Sequence, residues 1–129
     1  MAETNKQIVE KVNAGFAAND PEVFLSFCAD DAEWKIAGDQ TLKGKNAVRE
    51  FVSGMKEMEA PTFDVEELVA EGDSVICYGD MTMKMEKDDK PAPYSYVDAY
   101  RFSNGKITRL QTFVVKHKTE GEKSGKATA

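Results

Sequence analysis

The chain has 129 residues and a formal charge of −6, with 41% hydrophobic and 31% charged residues. This length suits one domain with a sizeable core, and the composition is that of a globular protein. The acidic balance and the absence of a Lys/Arg run argue against a nucleic-acid partner. No apolar run reaches the ~20 residues that span a bilayer, so no membrane partner is expected.

Targeting and redox signals are sparse. The first five residues lack the basic and apolar regions of a secretory signal. Cys28 and Cys77 stand alone, as reduced thiols do, and the one histidine, His117, has no metal-ligand spacing. We therefore predict a cytoplasmic protein without a metal site or cofactor. We also predict a single domain over residues 1–129, ordered from about 5 to 117, with a polar C-terminal tail at 119–129.

Three helices are predicted in the first half of the chain. Apolar residues at helical spacing predict a first helix through Ile8–Ala17. Asp20 and Pro21 are expected to cap and open a second helix that runs to Cys28. Residues 29–32 are expected to interrupt the helical pattern, and a short extended segment that contains Trp34 and Ile36 follows them. After a loop at 38–40, a third helix begins near 44–46, carries an apolar stripe to Met58 and ends before Pro61.

The second half of the chain alternates with the period of two that is typical of strands. A strand near 63–66, a turn at 71–73 and a long strand from 74 to 87 are predicted. A charged hairpin tip at 87–91 precedes a strand at 94–103. Asn104-Gly105 is typical of a type I′ hairpin turn, and the last strand follows at 107–116. The fold class is therefore α+β, with three N-terminal helices packed on a bent, mainly antiparallel sheet that leaves a cone-shaped hollow.

An aspartate lies in a row of aromatic residues on the strand at 94–103. Tyr94, Tyr96, Asp98, Tyr100 and Phe102 recur at every second position, so they share one face. A carboxyl group among rings is either satisfied by local hydrogen bonds or the centre of a pocket. Both interpretations stay open from the residues alone.

Three segments resemble a known superfamily. They are Phe27–Trp34 (FCADDAEW), Leu42–Phe51 (LKGKNAVREF) and Tyr96–Ile107 (YVDAYRFSNGKI). In this order they resemble the nuclear-transport-factor-2-like (NTF2-like) superfamily, and within it the ketosteroid-isomerase-like and SnoaL-like polyketide-cyclase branches. The resemblance covers about residues 8–117 and implies a cystatin-like cone fold, often dimeric through the outer face of the sheet.

The resemblance implies an incomplete set of catalytic groups. Ketosteroid isomerases use an aspartate base with an oxyanion hole made by a tyrosine and a protonated aspartic acid. Asp98 matches that aspartic acid, but the tyrosine position falls on Val12 and the base on Ile36. The aspartate that SnoaL-like cyclases carry on the last strand falls on Val115. Whether the protein is an enzyme is therefore left open.

We predict that Asp98 is the site residue and hydrogen-bonds a small apolar ligand that bears a carbonyl or hydroxyl group. Arg109 and Gln111 on the last strand are within reach of Asp98 across the ladder, and the register that decides which of Arg109, Gln111 and Phe113 point inward stays open from the sequence. The predicted pocket is lined by Phe16, Phe27, Trp34, Phe51, Met55, Met81, Met83, Tyr96, Tyr100, Gln111 and Phe113.

Three function classes follow from these observations. The first is a small-molecule binding protein, the second an isomerase, cyclase or related lyase or hydrolase that acts through Asp98. The third is a dimeric interaction module without a ligand. A homodimer is expected through the outer sheet face, which carries Ile76, Tyr78, Thr82, Val97 and Ala99; a merely solvated amphipathic face is the alternative.

Overall fold

The helices of the protein begin and end close to the apolar stripes that predict them. The computed structural model describes residues 4–55, 60–84 and 90–118. Helix α1 spans Asn5–Ala17, α2 Glu22–Phe27 and α3 Lys45–Met55. Helix α1 starts with a reciprocal capping box, in which the Thr4 side chain accepts from the Gln7 backbone and the Gln7 side chain accepts from Thr4.

The boundaries of α2 differ from the prediction. Its N-cap is Pro21, which makes no side-chain capping bond, so the prediction that Asp20 caps this helix is wrong. Strand β1 spans Cys28–Ile36 and follows α2 directly. The predicted break at 29–32 is therefore also wrong. Cys28 pairs with Ile107 on a neighbouring strand. This pairing holds the segment in the strand conformation, although two exposed aspartates lie within it.

Six strands form one open sheet in the order β2-β1-β6-β5-β4-β3. The further strands are β2 Gln40–Lys43, β3 Thr62–Glu71, β4 Ser74–Met83, β5 Ala92–Ser103 and β6 Lys106–Lys116. All neighbours are antiparallel except β1 and β6, which are parallel. The prediction of a loop before Leu42 missed β2, which is short and pairs only with β1.

Turns and bulges bend this sheet. The predicted hairpin turn is confirmed, because Asn104 and Gly105 both have positive φ, 54° and 77°. Strand β3 has a bulge between Val65 and Glu67, and there its backbone lies close to Gly79 of the paired strand β4. A Cβ atom at Gly79 would lie 2.2 Å from a backbone oxygen of β3, so only glycine permits this approach.

A second bulge sets the register of β6. Arg101 pairs with Arg109 but Phe102 pairs with Ile107, so β6 carries one extra residue, Thr108. Its hydroxyl donates to the Arg101 carbonyl oxygen at 3.2 Å. The extra residue moves every following side chain of β6 to the opposite face from the one that strict alternation from Ile107 predicts.

The helices cover one face of the sheet, called the inner face; the opposite one is the outer face. Helix α1 packs on β3 and β4, α3 packs on β1 and β2, and α2 joins the two helices. The core lies between helices and inner face and includes Val9, Val12, Phe24, Leu25, Val48, Val52, Val75, Ile107 and Leu110. The predicted α+β cone fold is confirmed. Predictions for Met58, for residues 85–89 and for the tail at 119–129 lie outside the described residues.

Candidate functional site

The aromatic row of β5 lies on the inner face. Tyr94, Tyr96, Tyr100 and Phe102 are buried, whereas Asp98 is only partly buried. Asp98 lies at the centre of the sheet, between β4 and β6. Its cross-strand neighbours there are Cys77 and Thr112, which also face inward.

A chain of two hydrogen bonds links Asp98 on β5, across β6, to Trp34 on β1. The indole Nε1 of Trp34 donates to Thr112 Oγ1 at 2.8 Å, and Thr112 Oγ1 donates to Asp98 Oδ1 at 2.8 Å. We call these three residues the relay. Edge-to-face contacts with Phe24 and Phe51 hold the Trp34 ring, so the relay starts from a fixed donor.

The relay and the apolar surroundings act in opposite directions on Asp98. Burial raises the pKa of the Asp98 carboxyl from 3.8 to about 6, because an apolar environment disfavours the charged form. The hydrogen bond from Thr112 lowers the same pKa, since it stabilises the carboxylate. Asp98 therefore changes its charge near pH 6.

A second polar cluster lies beside Asp98. Asn13 of α1 donates its amide to Cys77 Sγ at 3.4 Å, and the Tyr96 hydroxyl lies 3.6 Å from the same sulfur. Burial raises the pKa of Cys77 and of Tyr96, and it raises the pKa of Tyr100 well above the ordinary value. At neutral pH these groups stay uncharged, so they can hydrogen-bond but cannot act as bases.

Most of the predicted pocket residues lie inside the cone. Trp34, Met81, Tyr96 and Tyr100 are buried there, and a second group is partly buried against the core: Phe16, Phe27, Phe51, Met55 and Met83. A cavity of about 20 Å³ opens at one end of the helices, lined by Phe16, Asn19, Pro21, Val52, Met55 and Pro61. It has room for about one water molecule, and its lining does not include Asp98.

Two predicted lining residues on β6 do not face the cone. Gln111 pairs with Ala99 and Phe113 with Val97, so both side chains lie on the outer face and Phe113 is 42% exposed. Arg109 is exposed and does not approach Asp98. The bulge at Thr108 is the physical reason, because it turns the even-numbered residues of β6 inward.

The positions that the resemblance assigned to catalytic groups are apolar in three different settings. Val12 is fully buried in the core and Ile36 is partly buried against it. Val115 lies on the outer face and is 67% exposed, so the inward positions near the end of β6 are Thr112 and Val114.

Sequence reasoning missed Thr112 and Asn13. The sequence does contain a signal for Thr112. Strict alternation from Ile107 would place the polar residues Arg109 and Gln111 on the inner face and the apolar Leu110 on the outer face. That conflict is typical of a bulge. No comparable signal pointed to Asn13, whose position follows from the way α1 packs on β4.

Neither a metal centre nor a membrane helix is found in the described residues. Within 4–55, 60–84 and 90–118, no three His, Cys, Asp or Glu side chains are grouped so that they could hold a metal ion. No helix in the same ranges is long and apolar enough to cross a membrane.

Solved structures with the same fold include proteins of several kinds. The chain is similar to an NTF2-like protein of unknown function from Cytophaga hutchinsonii, with a TM-score of 0.71 and 24% identity over 87% of this chain and 100% of that one. It is similar to an LEH-like epoxide hydrolase from M. tuberculosis, with a TM-score of 0.75 and 13% identity over 85% and 81% of the two chains. A third is TerC co-crystallised with polyporic acid, with a TM-score of 0.71 and 22% identity over 84% and 88%. At these sequence identities, the similarity shows that the proteins share a fold.

Sequence comparison identifies the family. No curated protein matches the chain. The sequence model of the SnoaL-like domain matches residues 9–110, which is most of the chain. This match means that the protein belongs to the SnoaL-like domain family, whose cone fold it shares with the NTF2-like protein described above.

Proposed function

We propose that the protein binds a small, largely apolar molecule inside the cone and that Asp98 orients this ligand through a hydrogen bond. The observation that carries the proposal is a partly exposed carboxyl group in the middle of an inner face whose buried side chains, among the described residues, carry no charge. An ionisable group is costly there unless it serves a purpose. TerC, which shares the fold, was co-crystallised with polyporic acid, and this supports the proposal of a ligand in the cone.

Binding is favoured over catalysis by the groups around Asp98. The described part of the core contains no second carboxyl group and no histidine, so Asp98 has no charged partner for acid–base chemistry. The neighbouring thiol and phenols stay neutral at neutral pH. One observation favours the enzymatic alternative: a carboxyl group with a pKa of about 6 is suited to proton transfer, and the fold is shared with an epoxide hydrolase.

NMR titration with small aromatic probes tests the binding proposal. Phenol, toluene and acetophenone are added separately to the uniformly labelled protein. We expect saturable shifts of the Trp34 indole N–H and of the backbone around Asp98 and Thr112, with no change at Val97. Shifts confined to the outer face, or no saturable shift with any probe, would contradict the proposal.

The outer face supports a second proposal, a homodimer. Five of the six exposed large hydrophobic residues among those described lie on this face, and we call them the outer-face patch: Val69, Ile76, Val97, Phe113 and Val115. Val97, Phe113 and Val115 line a shallow recess of about 220 Å³, together with polar residues such as Glu66 and Asp80. Exposed apolar patches of this kind mark protein interaction sites. A second copy of the chain fits best, because a two-fold axis through the patch would place apolar side chains on apolar side chains.

A charge in the centre of the patch tests the dimer. Phe113→Glu is expected to convert a dimer into a folded monomer, because Phe113 is already 42% exposed and its replacement leaves the core intact. Val65→Glu is the matched control, since Val65 is 41% exposed but lies off the patch. Light-scattering mass measurements at micromolar concentration distinguish the outcomes. A monomeric wild-type protein would refute this proposal and leave the ligand proposal unaffected.

A further inference from the structure

The outer face of the sheet carries opposite charges at its two ends. On its three central strands, β4, β5 and β6, an exposed carboxylate, Asp80, lies at one end, and the basic residues Arg101, Lys106 and Arg109 lie at the other. The register places Arg101 directly opposite Arg109, and it places Asp80 directly opposite another exposed carboxylate, Asp64 of β3. We call the three basic residues the basic end and the two aspartates the acidic end.

The flanking strands do not reverse this separation of charge. At the basic end, Glu33 of β1 lies opposite Arg109, and Glu71 of β3 lies opposite Ser74. These two carboxylates are fewer than the three basic residues, so this end keeps a net positive charge. At the acidic end the row continues from Asp80 to the uncharged Ser95 and Val115. The two ends of the outer face therefore have opposite net charges.

The outer-face patch lies midway between the two ends. On β5, Ser95 is the neighbour of Asp80, and Arg101 follows six residues later, a distance of about 20 Å along a strand. The midpoint is residue 98, and Val97 of the patch and Ala99 lie on the outer face on either side of it. A two-fold axis at this level would place the patch on its own copy.

Charge distinguishes two arrangements of such a dimer. Sheets that pack face to face in a sandwich keep their strand directions within about 30° of each other, so the strands of the two copies run either parallel or antiparallel. In the parallel arrangement, each basic end faces the basic end of the other copy. In the antiparallel arrangement, each basic end faces the acidic end of the other copy. Like charges that face each other across an interface reduce affinity, so the antiparallel arrangement is favoured.

Arg101 is the basic residue best placed to make a contact across this interface. Its Nη1 atom donates to Ser74 Oγ at 2.8 Å, which holds the guanidinium over β4. Ser74 and Asp80 lie on β4 at equal distances from the level of residue 98, because Cys77 between them pairs with Asp98. The antiparallel arrangement therefore places Asp80 of one copy opposite Ser74 of the other. Packed sheets lie about 10 Å apart, a gap that an arginine and an aspartate side chain span together.

We propose that two copies of the chain pack their outer faces together with antiparallel strands, and that Arg101 of each copy pairs with Asp80 of the other. This inference rests on the proposed dimer and adds the orientation of its two copies and the residues that select it. Because a two-fold axis repeats the contact, each dimer contains two such pairs.

Charge reversal tests the orientation. Arg101→Asp places a carboxylate against Asp80, and Asp80→Arg places a guanidinium against Arg101. Sedimentation equilibrium at about pH 8, above the titration range of histidine, gives the dimer dissociation constant of each protein. We expect each variant to dimerise about tenfold more weakly than wild type, or weaker still, because both contacts become repulsive.

A mixture of the two variants provides the decisive measurement. In the mixed dimer one contact joins the introduced arginine to the introduced aspartate, and the other joins the native Arg101 to the native Asp80. We therefore expect its dissociation constant to return to within about threefold of the wild-type value. The two positions lie about 20 Å apart in one chain, more than twice the screening length at physiological salt, so the recovery arises between copies. Glu10→Arg and Lys6→Asp, at exposed positions of α1, are the matched controls and should leave the dissociation constant unchanged.

The possible failures are distinguishable. Tighter dimerisation of Arg101→Asp, or no recovery in the mixture of folded variants, would overturn the inference and leave the dimer proposal standing. A monomeric wild-type protein would overturn the dimer proposal and this inference with it. If either variant does not fold, the wild-type dimer decides: its affinity should fall between about 50 mM and about 500 mM salt, because salt screens attractive pairs, and a rise would overturn the inference.

Discussion

Asp98→Asn is expected to stabilise the protein at neutral pH. The pKa of Asp98 rises from 3.8 in the unfolded chain to about 6 in the fold, so the folded state favours the neutral carboxyl. A shift of roughly two units corresponds to about 3 kcal/mol, and partial exposure of Asp98 reduces this to about 2 kcal/mol. Asparagine is neutral and keeps the oxygen that accepts from Thr112, so it avoids the cost of a buried charge.

The pH dependence follows from the direction of the shift. Because the folded state binds the Asp98 proton more tightly, this group stabilises the wild-type protein most below pH 3.8, and the stabilisation is lost as the pH rises through about 6. The advantage of Asp98→Asn should therefore be complete above pH 6 and decline as the pH falls towards 3.8. Only the difference between variant and wild type at each pH is interpreted, which removes the effect of other titrating groups.

Thermal unfolding of both proteins between about pH 4 and about pH 8 measures this difference. An advantage of about 2 kcal/mol raises Tm by roughly 10 °C in a protein of this size. Asp64→Asn on β3 is the matched control, because Asp64 is an exposed carboxyl and the substitution should leave Tm nearly unchanged at every pH. An Asp98→Asn variant that is less stable than wild type at pH 8, or whose advantage does not change with pH, would refute the reasoning.

Three further predictions concern backbone, thiols and helix capping. Gly79→Ala should destabilise the protein by about 3 kcal/mol or more in urea unfolding, because its Cβ would clash with the β3 backbone. Gly54→Ala is the matched control at an exposed position of helix α3 and should be neutral or stabilise by up to about 1 kcal/mol; equal effects would contradict the close approach. Cys28 and Cys77 should not react with a thiol reagent such as DTNB until the protein unfolds, since both are buried and burial raises the pKa of Cys28 to about 12. Rapid reaction of the folded protein would contradict this. Thr4→Ala should lower stability by about 1 kcal/mol through loss of the capping box, and an unchanged urea midpoint would argue against that cap.

The sequence predicts the parts of the fold that depend on local patterns. Alternation placed Asp98 among buried aromatic residues, and Asn104-Gly105 predicted a turn that the φ angles confirm. The prediction failed where one residue is inserted into a strand. The bulge at Thr108 reversed the orientation of Gln111 and Phe113, because a one-residue shift exchanges the two faces of a strand.

The relay could not be predicted from local pattern. Trp34 and Thr112 are separated by 78 positions and meet because β1 and β6 are parallel neighbours. Trp34 was predicted as a lining residue, but its role as a donor to Thr112 depends on that pairing. The candidate site is thus partly visible in the sequence as one carboxyl in an aromatic row, whereas its hydrogen-bond geometry depends on the assembled sheet.

A crystal structure of the protein as purified from cells would show whether the cone holds a ligand. We expect electron density for an organic molecule in the cone, with a polar atom within hydrogen-bond distance of Asp98 Oδ2. A cone closed by protein side chains, with Asp98 Oδ2 bonded to the protein and no space beside it, would refute ligand binding.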